Sequence, residues 1–359
     1  MTPSIKRLIT RIAPAKYLFL VKRALFLRNI KKKLLQEAER LFEEERPQNG
    51  SLKNYKQALD LHLASYSEYM HQYRFWELNP AQQNEFICRN ALRIFYLTVP
   101  RDIKDNFWNK PKFLKLFSSW IHRRWIVTKE ATFEEFCDLV SQTPCIIKPL
   151  DSCCGVGIKK ISPPLHAVNL LHIKGLYEEC RTDNYLLEEA IEGCEEIQAF
   201  HPDSLNTIRV VTINASGRPI VFGAFIRMGV GDCFVDNAHM GGLFAQINVE
   251  TGMIESDGIS TFGARYKAHP DTGKQIFEFQ IPRWEEIKNN CIEASKVIPQ
   301  NPIIGWDVVI NRKGRIEFVE GNHGPDFDVM QSPLRIGVKH KLNECLGGAL
   351  QTALGRLYN

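Results

Sequence analysis

The 359-residue sequence contains no run approaching the roughly 18 apolar residues that a membrane-spanning helix requires. Its ten cysteines form no CxxC pair and no Cys/His group at zinc spacing, so the sequence predicts neither a structural zinc site nor a disulfide framework. Reduced thiols fit a cytoplasmic protein. With 44% hydrophobic and 24% charged residues, the composition is that of a globular chain long enough for two or three lobes.

Acidic residues are absent from residues 1–36, which carry ten lysines and arginines. Because the whole chain carries +5 and this segment +10, the remainder carries −5. Apolar residues recur among the cations in the pattern of an amphipathic helix interrupted by Pro14. Such a helix lies on an anionic membrane surface, holds an acidic partner, or packs its apolar stripe on the protein body. The acidic remainder and the lack of a recognisable module argue against nucleic acid as a partner.

Helical signals dominate up to about residue 100. The first helix is predicted to end before Pro47, and Ser51 can cap a second helix that runs to about Arg74. A third apolar helix is predicted over about residues 82–97. From Asp102 onward, strand and helix patterns alternate, with a helix that opens at Asn109 and another that begins near Thr132.

The segment CIIKPLDSCCGVGIKKI predicts a strand over residues 145–148, a glycine loop and a returning strand from Ile158. The backbone N–H groups of such a loop can close over phosphates, while Lys148 adds a point charge on the strand. The same pattern also fits a plain hairpin turn, so the loop alone does not decide between the two.

Two further stretches carry charged residues in strand-like surroundings. In NYLLEEAIEGCEEIQAF we predict a strand over residues 185–187 and, after a turn at Gly193, a second strand that runs into Phe200. Glu195 is placed to accept ribose hydroxyls; alternatively, these glutamates are solvated charges at strand ends. Arg209 lies within the apolar strand TIRVVTI, so it needs an anionic partner, either a structural carboxylate or a bound phosphate.

The stretch GWDVVINRKGRIEFVEGN predicts a β-hairpin. A two-residue loop at Lys313 and Gly314 would place Asp307 opposite Glu320, with their Cβ atoms about 5 Å apart. Asn322 would then point to the same face, and oxygens of these three residue types suit Mg²⁺. A three-residue loop with a bulge would shift the register by one. The alternative is an ordinary hairpin whose charged residues face water.

Taken in order, these segments resemble the ATP-grasp ligases. The resemblance rests on Lys110 after Asn109, the KP and glycine loop at 148–157, LLEEAIEGCE, and the D…E-x-N spacing of the hairpin. The phrases HPDSLNTIRVVT and DNAHMGG are most similar to the sugar-transfer-associated branch, over about residues 75–335. The resemblance implies an α+β ATP-grasp fold in which two lobes grip ATP. The lobes would comprise residues 101–200 and 201–359, and a basic helical region, residues 1–100, would precede them.

The resemblance also implies ATP and Mg²⁺ as cofactors and a role for each matched position. Lys110, with Lys112 as the competing assignment, would contact the α-phosphate. The catalytic candidates are Lys148, which would bind the α and β phosphates, and Arg209, which would contact the triphosphate or an intermediate. Metal ligands would be Asp307, Glu320 and Asn322. The nucleotide-binding residues would be Lys110, Lys148, Ser152, Gly155, Gly157, Glu188, Glu189, Ala190, Ile191 and Glu195. Of these, residues 188–191 would form the hinge that contacts the adenine.

The implied activity is a carboxylate–amine ligase that forms an amide through an acyl phosphate, with small-molecule carboxylate and amine substrates related to sugars or surface glycans. An ATP-grasp phosphotransferase and a membrane-docking ATP-binding protein without turnover are the alternatives. We expect a cytoplasmic protein, peripheral at the inner membrane surface if the basic segment docks there. Candidate substrate contacts are the polar residues near the proposed site: Asn206, Arg227, Asn237, His239, Gly242 and His323.

Overall fold

The computed structural model describes residues 15–151, 157–161, 170–215, 217–232, 241–261 and 263–355. Within these ranges, no helix combines the length and the apolar composition of a membrane span.

The N-terminal region is helical, but its helices are shorter than predicted. Its described elements are α1 (Ala15–Glu45), α2 (Leu52–His62), a π-helical turn (Glu68–Gln72), a 3-10 turn (Phe75–Glu77), α3 (Pro80–Asn84) and α4 (Arg89–Tyr96). Helix α2 begins at the predicted cap, where the Asn54 N–H donates to the Ser51 hydroxyl at 3.2 Å. The predicted end near Arg74 is wrong, because Leu63 adopts a left-handed conformation with φ of 55° and stops the helix.

The single helix predicted over residues 82–97 is also wrong, because it is divided between α3 and α4. The intervening residues Phe86, Ile87 and Cys88 are buried and not helical. The Ile87 N–H donates to Gln331 Oε1 at 3.0 Å instead of to a carbonyl one turn earlier. A side chain from the C-terminal part of the chain thus replaces the helical hydrogen bond.

Helix α1 packs on the body along one side and presents apolar and basic side chains to solvent on the other. Leu34 is 6% exposed within the core of the helical region. The Arg23 guanidinium donates to the Leu354 carbonyl near the end of the chain. Large apolar side chains also lie on the exposed side of the helix, namely Leu20, Val21 and Leu25.

A small sheet follows, with the antiparallel order β1–β4–β2–β3. Its strands are β1 (Trp125–Val127), β2 (Cys145–Pro149), β3 (Lys159–Ile161) and β4 (Tyr185–Glu189). The surrounding helices are α5 (Arg101–Trp108), α6 (Lys110–Leu116), α7 (Phe133–Gln142) and α8 (Leu170–Asp183), with a 3-10 turn at Ser118–Trp120. The predicted start of α7 is confirmed by a capping box between Thr132 and Glu135.

The large sheet has the order β11–β10–β5–β6–β7–β8–β9 among the described residues, and all its pairs are antiparallel. Its strands are β5 (Thr207–Ala215), β6 (Arg218–Met228), β7 (Leu243–Ile247), β8 (Gly258–Ser260), β9 (Arg265–Tyr266), β10 (Ile303–Ile310) and β11 (Ile316–Asn322).

Two cores cover the two faces of this sheet. Trp306 and its neighbours pack against α10 (Trp284–Ser295) on one face. The other face packs against α4 and against the helices α11 (Asp328–Gln331), α12 (Lys339–Cys345) and α13 (Ala349–Leu354). Successive side chains of strand β5 point alternately into these two cores, with Val210 in the first and Val211 in the second.

The strand predicted to run into Phe200 is wrong, because residues 195–198 form the short helix α9 (Glu195–Gln198). Ile197 and Phe200 are both buried in the core. They stand three residues apart, which places them on one side of a helix, whereas a strand would point them to opposite faces. Two acidic residues in the first turn, Glu195 and Glu196, are also favourable at a helix N-terminus.

The packing of α1 predicts different effects for two leucines on the same helix. Leu34→Ala should lower the free energy of unfolding by about 3 kcal/mol, because it removes buried apolar atoms and leaves a cavity. Leu25→Ala should change it by less than about 0.5 kcal/mol, because Leu25 is 43% exposed. Urea denaturation of both variants measures this; equal effects would contradict the packing of the helix on the body.

Candidate functional site

The β10–β11 hairpin brings Asp307 opposite Glu320, as predicted, although by a different route. The predicted two-residue loop is wrong, because Ile310 pairs with Ile316, the Asn311 N–H donates to the Arg315 carbonyl at 2.9 Å, and three residues, 312–314, form the turn. Gly314 adopts φ of 74° there, which suits glycine. A register shift between Asp307 and Val308 then restores the pairing of Asp307 with Glu320. The three-residue turn and the irregularity therefore compensate for one another.

Asp307 is completely buried and is held by two arginines from neighbouring strands. Arg209 donates to both carboxylate oxygens, with Nη2 at 2.9 Å from Oδ2. Arg227 places its Nη2 at 2.8 Å from the same Oδ2. Burial alone would raise the pKa of Asp307, but the two guanidinium groups hold it well below its usual range. The anionic partner that Arg209 needs is therefore a carboxylate of the chain itself.

Glu320 lies at the accessible side of this pair. Its side chain is exposed, but enough protein surrounds the carboxyl group that desolvation and then the charge of Asp307 raise its pKa. Asn322 follows on the same strand, with Nδ2 at 3.5 Å from Glu320 Oε1. Two carboxylates that repel one another and an amide oxygen form a donor set that a hard cation would stabilise.

The end of this hairpin packs tightly against the helical region. A Cβ atom at Gly321 would lie 2.6 Å from the Phe113 ring, and one at Gly324 would lie 2.8 Å from the Tyr96 ring. Only glycine therefore permits this approach on either side of Asn322 and His323. The packing fixes the position of Asn322 relative to α4 and α6.

The described residues contain no group of three His, Cys, Asp or Glu side chains able to hold a metal ion. A site composed of Asp307, Glu320 and Asn322 is consistent with that finding, because it has only two carboxylates. Mg²⁺ is commonly bound by one or two carboxylates and completes its coordination with water and phosphate oxygens. The residues present therefore fit Mg²⁺ bound together with a nucleotide, but not a metal cage made by the protein alone.

Lys148 extends from β2 to Glu188 on β4 and forms an ion pair with it. Glu188 is also bound by Arg123, whose Nε lies 2.8 Å from Glu188 Oε2. Burial alone would raise the pKa of Glu188, but Arg123 and Lys148 lower it to about 2. The side chain of this predicted hinge residue thus belongs to a buried charge network.

Arg123 connects the small sheet to the large one. Besides Glu188, it binds Glu317 of β11 through Nη1 at 3.2 Å and donates to the carbonyls of Phe318 and Val319 at 2.9 and 3.1 Å. Its side chain is only 3% exposed. The sequence analysis missed this residue. The pattern that drew attention to Arg209 is an arginine in or beside an apolar extended segment. Arg123, which shortly precedes the strand β1, shows the same pattern.

The two candidate lysines of α6 differ in position. Lys110 donates to the carbonyls of Pro149 and Leu150, at 3.0 and 3.1 Å, at the start of the predicted phosphate loop. Lys112 instead faces Asp105 at 3.4 Å. In the same loop, Gly157 has φ of 75°, whereas Ser152 and Gly155 lie outside the described residues. The geometry places Lys110, and not Lys112, beside the loop.

A cavity of about 1250 Å³ lies along the predicted adenine hinge. The hinge residues Ala190 and Ile191 line it together with Glu195, and Lys160 of β3 faces it. Glu189 pairs with the exposed Arg124 at 3.2 Å. Other residues of the predicted site, although described, do not line this cavity: Lys148, Asp307, Glu320 and Asn322. The structure thus brings the hinge residues together and the hairpin residues together, as two separate surfaces.

The predicted substrate residues fall into different environments. Asn206 is buried and donates to the carbonyls of Ile197 and His201, both at 3.1 Å, so its amide has a structural role. Arg227 binds Asp307, and Gly242 is buried directly before β7. Asn237 and His239 lie outside the described residues. Contact of any of these residues with a substrate stays a prediction.

His323 lies next to Asn322 and packs edge-on against Trp108 at 4.9 Å between ring centroids. Its Nδ1 is buried without a hydrogen-bond partner among the described residues. Burial, followed by the nearby charge of Lys104, lowers the pKa of His323 to about 4, so the ring is neutral near pH 7. Trp108 is 56% exposed. Trp108 precedes Lys110 by two residues, and Lys110 contacts the start of the phosphate loop. The corner between α5 and α6 therefore lies between the hairpin end and this loop.

Residues 119–346 match the family described as sugar-transfer associated ATP-grasp. The chain belongs to this family. The match confirms the resemblance inferred from the motifs, and with it the α+β ATP-grasp fold. A comparison with curated proteins found no match.

Three similar solved structures are more distant. The ATP-grasp ligase PsnB, complexed with a phosphomimetic precursor variant, Mg and ADP, is 15% identical, with a TM-score of 0.42 over 69% of this chain and 60% of PsnB. D-alanyl-alanine synthetase A from Vibrio cholerae O1 is 12% identical, with a TM-score of 0.44 over 77% of this chain and 73% of the synthetase. The VanG D-Ala:D-Ser ligase from Enterococcus faecalis is 16% identical, with a TM-score of 0.42 over 67% of this chain and 61% of VanG. The chain thus spans less than two thirds of PsnB and of VanG.

The contacts of Arg123 with both sheets predict that its replacement lowers the free energy of unfolding much more than replacement of the adjacent Arg124. Arg123→Met should lower the free energy of unfolding by about 3–5 kcal/mol, because it leaves buried Glu317 without its cation and buried Glu188 with Lys148 alone. Arg124→Met should cost less than about 1 kcal/mol, because Arg124 is 45% exposed and its ion pairs are screened by water. Urea denaturation at pH 7 compares them. Similar small effects would show that Arg123 does not join the sheets.

Proposed function

We propose that the chain is an ATP-dependent ligase that joins a carboxylate to an amine through an acyl phosphate, in the synthesis of a surface polysaccharide or sugar conjugate. The observation that carries this proposal is the Asp307–Glu320 pair with Asn322 beside it at one edge of the large sheet. Membership of the sugar-transfer-associated ATP-grasp family supports both the nucleotide and the link to sugars.

ATP and Mg²⁺ are the cofactors that suit this site. Glu320 and Asn322 would hold the metal, and Asp307 would be the third ligand, shared with its two arginines. When bound, Mg²⁺ offsets the charge on the phosphoryl oxygens. Lys148 would exchange its partner Glu188 for nucleotide phosphates, while Arg123 would keep Glu188 ionised.

The reaction proposed has two steps. A carboxylate oxygen of the first substrate attacks the γ-phosphorus, and the bond to the β,γ-bridging oxygen breaks to release ADP. The amine nitrogen of the second substrate then attacks the acyl carbon, phosphate leaves, and the nitrogen loses a proton. The protein contributes by positioning the reactants and by stabilising charge, which are the largest contributions available in phosphoryl transfer.

Trp108 and His323 would contact the non-nucleotide substrate. They adjoin Asn322 on one side and, through Lys110, the start of the phosphate loop on the other. An exposed indole offers a flat apolar surface to one face of a sugar ring, and neutral His323 can donate to or accept from a hydroxyl group. This arrangement favours a sugar-bearing substrate over a small aliphatic amino acid.

The exposed face of α1 supports a second proposal, that the protein docks on an anionic membrane surface. Leu20, Val21 and Leu25 are 39–45% exposed. Lys22, Arg28, Lys32 and Lys33 lie on the same exposed face, and no acid is present before Glu37. Apolar side chains that enter the headgroup region and cations that pair with acidic lipids together stabilise interfacial helices.

Hydroxylamine trapping tests the ligase activity without the natural amine. With MgATP and a panel of amino acids, hydroxy acids and uronic-acid sugars, we expect one carboxylate to form a hydroxamate detectable by mass spectrometry. Glu320→Gln should lower the yield by roughly 100-fold or more, because it removes a charged metal ligand. Glu320 is the better choice than Asp307, since Asp307→Asn would also leave two buried arginines without their carboxylate.

Glu293→Gln is the matched control, because Glu293 is exposed and pairs with Lys296, just after the end of α10, at 2.5 Å. Full activity of Glu320→Gln would contradict the metal assignment. A stable phosphorylated product without any hydroxamate would identify a phosphotransferase, and ATP binding without any product would support the docking protein without turnover.

Replacing Leu20, Val21 and Leu25 together by serine tests the docking proposal. Because their loss removes the apolar contact with lipid, sedimentation with vesicles of anionic phospholipid should fall by roughly tenfold. ATP binding should not change, since these side chains point away from the body. Binding to neutral vesicles provides the control for charge. Undiminished sedimentation of the triple variant would refute docking through this face.

A further inference from the structure

A second, smaller cavity of about 190 Å³ lies apart from the hairpin and the hinge. Three distant parts of the chain meet there: the turn after the π-helix, strands β8 and β9, and the segment after α11. Each part contributes one arginine, namely Arg74, Arg265 and Arg335. We refer to the space between these three side chains as the arginine cavity. Phe244 lines its apolar side.

The positive charge of the arginine cavity exceeds the negative charge around it. Arg74 and Arg335 share a single carboxylate, that of Glu77, with Arg335 Nη1 at 2.5 Å. Arg265 donates to the Pro333 carbonyl at 2.8 Å and lies 4.0 Å from Asp257. In the ion pairs of these arginines, three guanidinium groups therefore meet two carboxylates, one of them at the limit of an ion pair. An anion in the cavity would balance this excess.

Ser332, a residue with a buried hydroxyl group, also lines the arginine cavity. Ser332 is 5% exposed, and its Oγ has no hydrogen-bond partner among the described residues. Buried polar groups nearly always have a partner, so an unpaired one that lines a cavity indicates a missing ligand. The hydroxyl can donate to an oxygen of an anion held by the arginines.

The backbone supports the same interpretation. Arg74 has φ of 54° and Arg335 has φ of 53°, a left-handed region that side chains other than glycine, asparagine and aspartate seldom adopt. These are two of the three arginines of the arginine cavity, and they share Glu77. Strained conformations of this kind persist where the surrounding structure requires a side chain in one place, and they concentrate at binding sites.

We propose that the arginine cavity binds a phosphate group, either of free orthophosphate or of a phosphorylated sugar. Guanidinium groups match the oxygens of a phosphate in pairs, and the Ser332 hydroxyl would supply a further hydrogen bond. The cavity volume accommodates a phosphate group with part of an attached ring. The site is independent of the nucleotide and metal residues, so it does not rest on the ligase activity.

Isothermal titration of the full chain with inorganic phosphate tests the proposal. Arg265→Gln and Arg335→Gln should each weaken binding by about tenfold or more, because each removes a charge-assisted hydrogen-bond donor. Arg312→Gln is the matched control, since Arg312 is 78% exposed, pairs with Glu192 and does not line the arginine cavity. Lys148→Ala probes the competing phosphate site in the nucleotide region. Arg312→Gln should not change the affinity.

Loss of phosphate binding in Lys148→Ala, with retention in both arginine variants, would place the phosphate in the nucleotide region and overturn the proposal. If the arginine variants fail to fold, crystals of the unaltered protein soaked in tungstate decide the matter. An anomalous peak between the three guanidinium groups is the expected result, and peaks found only elsewhere would refute it.

The source of the phosphate follows from a second titration with glucose 1-phosphate. Tighter binding than that of orthophosphate, with the same loss in Arg265→Gln, would assign the arginine cavity to a phosphorylated sugar. Equal or weaker binding would assign it to orthophosphate.

Discussion

The chemistry of the large sheet depends on one buried carboxylate, Asp307, that two arginines keep ionised. A charge at such a position is very costly without partners, and Arg209 of the adjacent strand β5 and Arg227 of the next strand β6 offset that cost. Because the arginines hold Asp307 ionised, the proton of the carboxylate pair resides more readily on Glu320. The accessible member of the pair is thus the one that takes up a proton first as the pH falls.

The same constraint extends across the sheet. Arg209 stands directly opposite Asp307 in the β5–β10 pairing, and Arg227 lies opposite Thr207 in the β5–β6 pairing. A shift of either strand by one residue would turn these side chains toward the apolar core around Trp306. Charge pairing therefore reinforces the register that the hydrophobic pattern already favours.

Much of the fold and part of the site could be predicted from local patterns. The facing of Asp307 and Glu320 follows from the hairpin pattern, and the start of α7 follows from its capping residues. The sequence leaves the three-residue turn with a bulge open as an alternative, because the turn residues Lys313 and Gly314 fit a loop of either length. Other features depend on distant partners: Gln331 interrupts the predicted third helix, and the partners of Arg123 lie up to 196 residues away.

The bridge formed by Arg123 has a consequence for motion. One guanidinium group holds Glu188 on the small sheet and Glu317 with two carbonyls on the large sheet. The large-sheet side is immobilised by the glycine contacts at the hairpin end. Any closure of the small sheet over a bound nucleotide would therefore pivot about this side chain. A rotation about a fixed point moves distant parts of the small sheet more than Glu188, which Arg123 holds directly.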